Sequence, residues 1–335
     1  MTTVQLTIDS AIDLAVSVLI HANTANDAAL SVAKALVNAE VDGQRGHGLS
    51  RLTSYAAQAR SGKVNGQAIA SVDSRKSAAV RINAQSGFAF PAFDLARSEI
   101  ASLAPICGIA CAAIYNSHHF GQAGYHVEQL ARQGLVAMVF GNSPKAIAPW
   151  GGNAALFGTN PVAFAAPRQF AAPLVIDLSL SKVARGKIMV AVQKGQPIEE
   201  GWALDAAGQP TTSAEDALQG TMLPMGDAKG AALVMMVEIL AAALTGANYG
   251  FEASSFFDAE GNPPGVGQMM MGLDPEFFSA GSFPQRLELL VNSVIAQPGT
   301  RLPGDSRLQA RKLAESNGIQ ISTDLHRQLC VLIES

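Results

Sequence analysis

Three observations place this chain in the α/β class. Its first sixty-odd residues carry helical patterns only. Residues 106–141 then read as strand, helix, strand, an order that builds parallel βαβ-like units. The length of 335 residues, with 48% apolar and 15% charged, calls for a large ordered core and two lobes.

The elements follow in order. Thr7 to Ser10 offer N-caps before an apolar helix face at Ala11 to Leu19. Asn26-Asp27 cap a second helix that runs to about Val41 and sets Val32, Leu36 and Val37 on one side. A third helix runs to about Arg60 and stops at Ser61-Gly62. Ala78 to Ile82 alternates as a short strand, and Pro91 starts a helix through about Leu103. Ile106 to Tyr115 is an apolar strand. Gly121 and Gly124 flank a turn into a helix reaching Gln133-Gly134, and Leu135 to Gly141 is a further strand. Residues 149–152 and 157–161 are dense in turn formers. Val162 to Ala165 and Leu174 to Ile176 read as strands, with Ser179 or Ser181 capping a helix through about Val192. Gly195 to Gly220 is a polar surface excursion. Ala231 to Ala247 predicts a buried helix with Glu238 near its middle, shorter than the ~20 residues of a membrane span. Phe251 to Gly267 is a Gly- and Pro-rich loop placed to cover a site or an interface. Gln268 to Gly272 is a buried strand, and helices follow at Leu287 to Ile295, Arg307 to Glu315 and Leu325 to Leu332.

Composition excludes several classes. The net charge is −4 and no basic run interleaves with aromatics, so no nucleic-acid partner is expected. No membrane segment is expected. Residues 1–14 contain Asp9 and Asp13 and no Lys or Arg, which is not a secretory signal. Cys107, Cys111 and Cys330 read as reduced, buried thiols of a cytoplasmic protein, the first two in one strand-like run, and no metal site is expected.

The stretch Asp42-Gly43-Gln44-Arg45-Gly46-His47-Gly48-Leu49-Ser50-Arg51 carries the chemistry. Its glycines let backbone approach a ligand closely. If a helix begins near His47, then His47 and Arg51 share a face. Arg51 offers a planar fork for a carboxylate, and His47 holds or gives a proton near neutral pH. A carboxylate anchor beside a proton donor is what reduction of a 2-oxo acid requires. Read locally, the same pair is also an exposed Arg and a capping His.

The dinucleotide fingerprint G-x-G-x-x-G and the Walker phosphate loop are both absent. Other segments present candidates, each with an ordinary structural alternative. Asn116 to Gly121, with His118 and His119, lies at a strand's C-terminal end, where α/β proteins place ligands. Lys229 stands between Gly226 and Gly230 at a helix start, a setting that favours phosphate. Arg301 and Arg307 bracket a Pro-Gly turn. Asp177 and Lys145 follow strands, and Lys145 suits a second anionic group.

Taken together, the chain resembles the non-Rossmann malate/L-lactate dehydrogenase family. That family includes malate, ureidoglycolate and sulfolactate dehydrogenases and the Δ1-piperideine-2-carboxylate/Δ1-pyrroline-2-carboxylate reductases. The matching segments are D-G-x-x-x-H-G-x-x-R at 42–51, S-H-H-F-G at 117–121, A-P-W-G-G at 148–152, F-G-T-N-P at 157–161, D-L-S at 177–179, A-R-G-K at 184–187, G-x-x-K-G at 226–230 and R-L-P-G at 301–304.

The resemblance implies a homodimer. It implies a largely helical lobe, residues 1–75 with 300–335, packed on a cofactor-binding α/β lobe with a mixed sheet, residues 76–299. It implies NADP or NAD as cofactor and a small carboxylate as substrate. His47 and His119 would be catalytic. Arg51, Thr159 and Lys145 would face the substrate. His119, Phe120, Gly121, Gln122, Ala123, Asp177, Leu178, Ser179, Arg185, Gly186, Lys229, Arg301, Gly304 and Arg307 would hold the cofactor.

There are departures. The cyclic-imine reductases carry a Ser before the catalytic His, where this chain has Gly46. They lack the G-x-A-G-Y pattern present here at Gly121 to Tyr125, and they commonly place a His where Ala228 stands. The reading is therefore an NAD(P)-dependent 2-hydroxyacid dehydrogenase of the malate, lactate or sulfolactate type. Reduction of a cyclic imine 2-carboxylate is the first alternative, and a catalytically idle binding protein of the same fold is the second.

Overall fold

The computed structural model describes residues 2–334, so residues 1 and 335 of the expected helical lobe lie outside it. Strand β1 (Thr3–Leu6) leads into helix α1 (Ile8–His21), which the Thr7 hydroxyl caps by accepting from the Ser10 N–H at 3.1 Å. Helix α2 (Asn26–Val41) starts at the predicted place, but its cap is Ala25, which makes no side-chain bond; Asn26 is its first residue. Helix α3 (Leu52–Ser61) ends at Gly62, whose φ of 80° is the left-handed C-cap that glycine adopts without a Cβ penalty. Strand β2 (Ser71–Lys76) and strand β3 (Ala79–Asn83) form a hairpin. β2 begins at Ser71, ahead of the expected lobe boundary at residue 76.

Helix α4 (Ala89–Cys107) precedes β4 (Ile109–Ser117), α5 (Ala123–Ala131) and β5 (Val136–Gly141). Strands β6 (Val162–Ala166) and β7 (Leu174–Leu178) extend the sheet. Helix α6 (Arg185–Lys194) is capped by Ala184, because Ser179 and Ser181 bond each other at 2.7 Å instead. The polar excursion holds β8 (Ala203–Leu204), β9 (Pro210–Thr211), α7 (Ala214–Gln219) and β10 (Thr221–Met222), which build a small three-stranded sheet. Helix α8 (Asp227–Glu238) passes directly into a π turn, Ile239–Ala243. Strand β11 (Val266–Leu273), helices α9 (Pro275–Ser279), α10 (Phe283–Ile295) and α11 (Asp305–Asn317), strand β12 (Ile319–Ser322) and helix α12 (Thr323–Glu334) complete the chain.

The large sheet has the order β2-β3-β4-β11-β5-β6-β7. Only β3 and β4 pair in parallel; the other neighbours are antiparallel. The expected βαβ unit is therefore split: β4 and β5 run in the same direction, but β11 lies between them and pairs with both. Strand periodicity sends Ala110, Ala112 and Ile114 toward α4 and α5, and Cys111 and Ala113 toward α8 and the π turn. Cys111 and Cys330 are half-buried, whereas Cys107 ends α4 and is exposed, so the expectation of buried thiols in one strand fails for it.

A separate core joins α1, α2 and α3 to Ala314, Ile319, Ile321 and Leu329 from the end of the chain. β1 pairs with β12, which ties the two ends together. Between this core and the sheet lies a buried ionic cluster. Arg311 bonds Asp42 at the end of α2 and reaches Glu128 on α5 at 2.5 and 2.7 Å. Asp42 also accepts from Gln122 Nε2 at 2.9 Å.

Candidate active site

The segment between α2 and α3 is not a helix start. Two successive single 3₁₀ turns, Arg45–His47 and Leu49–Arg51, replace it, and Arg51 is the N-cap of α3. What fixes these turns is Glu40, on the last turn of α2. Its buried carboxyl accepts the Leu49 N–H at 2.8 Å, and burial raises its pKa against that hydrogen bond. A Cβ on Gly48 would collide with the Glu40 carboxyl. Gly48 is thus small to admit a side chain of this chain, where the sequence suggested room for a ligand. Gly46 is different: a Cβ there would meet nothing within 4 Å.

The two turns still bring the predicted pair together. His47 stacks on His119 with ring centroids 5.5 Å apart and planes 9° from parallel. Burial first, and the Arg51 charge second, push His47 down to about 4. Burial holds His119 well below its ordinary value as well, with Arg51 adding to it. Both rings are therefore neutral near pH 7. His119 Nδ1 lies 2.6 Å from the Tyr55 hydroxyl on α3. Burial raises the Tyr55 pKa, so the phenol keeps its proton and donates to Nδ1, leaving the hydrogen of His119 on Nε2.

Arg51 is half-buried. Its Nε donates to Gly46 O at 2.9 Å and its guanidinium stands 4.7 Å from the Phe257 ring. Among the described residues it has no acidic partner, and burial lowers its pKa. The 251–267 loop does cover this centre. Phe256 sits 5.3 Å from the His119 ring and 5.2 Å from His118. Lys63, which is buried, anchors that loop through Ser255 O at 2.8 Å, Asp258 O at 3.1 Å and Asp258 Oδ1 at 2.9 Å. Tyr55, Glu40, Lys63, Phe256 and Phe257 are absent from the sequence-derived site. Their roles depend on contacts across the chain that no local spacing encodes.

The other predicted residues divide. Thr159 pairs with the Asn142–Lys145 turn: its N–H donates to Ser143 Oγ at 3.1 Å. Lys145 itself is exposed, and only its backbone N–H is engaged, with Gly250 O at 2.8 Å. His119, Phe120, Gly121, Gln122 and Ala123 form the turn between β4 and α5. Asp177 Oδ2 accepts the Gly124 N–H at 2.7 Å, and Leu178 and Ser179 continue that edge. A Cβ on Gly124 would lie 2.9 Å from Asp177 Oδ2 and 3.2 Å from Arg307 Nη1, so this junction needs glycine. Arg307 is buried within the ionic cluster, 3.9 Å from Asp42 and 3.8 Å from Glu128. Gly304 is the left-handed residue before α11, and Arg301 is exposed. Arg185 and Gly186 open α6, and Lys229 is exposed in the first turn of α8.

Several of these groups suit a polyanionic ligand. Gln122 Oε1 and Arg307 Nε are buried without a hydrogen-bond partner. Arg185 is a half-buried cation without an acidic partner among the described residues, and burial lowers its pKa. Among the described residues no group of three His, Cys, Asp or Glu is arranged to hold a metal ion, and no helix is long and apolar enough to cross a membrane.

Paired neutral imidazoles beside a guanidinium with no acidic partner among the described residues, next to a glycine-bearing turn at a strand end, form an arrangement that suits an oxidoreductase of small carboxylates. Residues 6–330 match the family model described as malate/L-lactate dehydrogenase, and the chain belongs to that family. It is an enzyme of that family rather than an idle scaffold. It is 54% identical, over 280 residues, to (2R)-3-sulfolactate dehydrogenase (NADP(+)) of Chromohalobacter salexigens, covering 84% of each chain. It is 41% identical, over 290 residues, to the Δ1-pyrroline-2-carboxylate/Δ1-piperideine-2-carboxylate reductase of Pseudomonas putida, covering 85% of this chain and 84% of the relative. The crystal structure of Δ1-piperideine-2-carboxylate reductase from Pseudomonas syringae pathovar tomato superposes with a TM-score of 0.94 at 37% identity, covering 98% of this chain and all of that one.

Proposed function

We propose that this enzyme moves hydride between NADP(H) and C2 of a small 2-oxo/2-hydroxy acid, of the sulfolactate or malate type. The observation that carries this reading is Arg51: a guanidinium with no acidic partner among the described residues, beside two neutral stacked imidazoles. It is a prepared place for a carboxylate. A relative named for NADP(+) supports that cofactor, as do the unpartnered cation of Arg185 and the exposed Lys229. His119 to Ala123, Asp177 to Ser179, Arg185-Gly186, Lys229 and the Arg301–Arg307 turn would hold it. When bound, it supplies or accepts the hydride.

The chain's own residues do the rest. Arg51 fixes the substrate carboxylate and so the face of C2 that is presented. His47, held neutral by burial, accepts the hydroxyl proton of a 2-hydroxy acid directly. In the reverse direction it must carry a proton. Burial is the main cause of the low His47 value; a carboxylate on Arg51 offsets the smaller contribution, the guanidinium's repulsion, and so raises it. His119, fixed by Tyr55, presents Nε2–H as a second donor. Thr159 borders the substrate, and Lys145 takes its second anionic group.

Purified protein should oxidise NADPH with sulfopyruvate, oxaloacetate or pyruvate in the presence of the acid only. Turnover of Δ1-piperideine-2-carboxylate and of no oxo acid would overturn the proposal in favour of imine reduction. The similarity to the Pseudomonas reductases supports that second reading; Gly46, where the resemblance to imine reductases implies a serine, weighs against it.

The lobes are assigned as 1–75 with 300–335 and 76–299, the first bearing His47 and Arg51. A homodimer would cover the exposed apolar residues Leu233, Met236, Ile239 and Leu244 on α8 and the π turn, a face expected from sequence to be buried. Three free thiols suit the cytoplasm.

A further inference from the structure

We propose that Glu238 is a positioning residue that sets the substrate side of the cleft. It is 3% exposed, and its described partners include no cation. Buried carboxylates are uncommon without one. Its two oxygens instead accept from three separate segments, two of them far away in sequence. Oε1 takes Asn142 Nδ2 at 3.1 Å and the Gly250 N–H at 2.7 Å; Oε2 takes Asn160 Nδ2 at 2.7 Å.

Each partner adjoins a segment assigned to the site. Asn160 follows Thr159 directly and sits at φ 40°, a left-handed conformation that must be held in place. Asn142 precedes Ser143, which receives the Thr159 N–H, and its side chain also grips Asn248 O at 2.9 Å and the Gly267 N–H at 2.9 Å. Gly250 is the root of the loop whose Phe256 and Phe257 lie against His119 and Arg51. A Cβ on Gly250 would come within 2.8 Å of Ser143 O and 2.9 Å of Gly158 N, so the three segments are already in close contact. Glu238 is their common acceptor. The helix changes to a π turn immediately after it, at Ile239–Ala243, a distortion often found beside functional sites. All three contacts to Glu238 are donors. An amide in its place must turn its own NH₂ toward at least one of them.

This inference rests on the reading of Thr159 as a substrate contact, and the experiment separates the two. Glu238→Gln, with Glu238→Asp as a conservative partner, is compared with the wild type in full-length protein. The readouts are KM for the acid, the NADPH Kd from fluorescence, and hydrogen exchange along the chain. We expect E238Q to raise KM at least tenfold, keep the NADPH Kd within twofold, and speed exchange over 142–145 and 248–258 but not in α1. E238D, which keeps a carboxylate, should recover part of the KM. In a Thr159→Ala background E238Q should add less than twofold, since both act through the same wall. Faster exchange with an unchanged KM would reduce Glu238 to a structural role and overturn the inference, as would unchanged exchange. If the wild type turns over no oxo acid, the functional proposal fails, and exchange over 142–145 and 248–258 still decides whether Glu238 holds the wall. If E238Q does not fold, E238D carries the same comparison.

Discussion

At the scale of single residues, the site depends on what burial does to imidazole. Burial, with the Arg51 charge beside it, holds His47 at about 4, and in the proposed reaction this imidazole is the base. His47→Ala should lower kcat by about a hundredfold to ten-thousandfold, the usual worth of one positioned acid–base group, with Tm within 2 °C of wild type. The pH profile adds a sharper check. For hydroxy-acid oxidation, kcat/KM should fall only below about pH 4, where the free enzyme's His47 gains its proton, while the limb in kcat should stand higher because bound carboxylate raises the group. Coincident limbs would remove His47 from this role. The closeness of His47 and Arg51 was legible in the sequence because short-range spacing encodes it. The reason for Gly48 was not, because the Glu40 carboxyl that fills its space arrives from another element. Tyr55 was likewise invisible: on α3 it reads as one more apolar helix position, and only the fold brings it to His119.

At the scale of elements, the 251–267 loop shows both sides. Its Gly and Pro content marked it as a cover, yet nothing local revealed that Lys63, nearly two hundred residues earlier, holds it shut. Lys63→Met should free the loop. We expect faster protease cleavage between residues 251 and 263, a KM for the acid raised about tenfold, and a stability loss of about 1–3 kcal/mol from carbonyls left without a donor. An unchanged cleavage rate would show that the loop is held by other contacts. Helix ends were read well where glycine stops them, as at Gly62, and poorly where two 3₁₀ turns imitate the i, i+4 spacing of a helix at His47 and Arg51. The run Ala110 to Ala113 in β4 is built from small residues that fit either backbone, and β6 is alanine-rich apart from Val162 and Phe164, so the split of the βαβ unit by β11 could not be read from them.

At the scale of the whole molecule, buried neutral histidines set the response to acid. His118 and His126 are held at about 3, in both cases chiefly by burial, against an ordinary 6.5. His126 is satisfied, with Phe120 O accepting from Nε2 at 2.8 Å and Arg97 Nη1 3.3 Å from Nδ1. His118 has neither nitrogen bonded, and its ring is enclosed by Tyr55, Phe88 and Phe256. Unfolding takes up protons on both rings between pH 6.5 and 3, so stability is full above 6.5 and falls as pH drops through that window. His118→Phe should remove one of the two contributions. Its stability relative to wild type should grow by on the order of 4 kcal/mol between pH 7 and pH 3, measured by denaturant titration at each pH. Parallel curves for the two proteins would contradict this.

The position of β11 has a consequence for how the chain comes into being. It is the last of the seven sheet strands to leave the ribosome, separated from β7 by nearly ninety residues, yet it pairs in the middle of the sheet. Until Val266–Leu273 emerges, β4 and β5 each carry a bare hydrogen-bonding edge, and the sheet exists as two unjoined halves. The nascent polypeptide is then most open to strand exchange with its neighbours, and late synthesis, rather than the mature enzyme, is where this fold is exposed to aggregation.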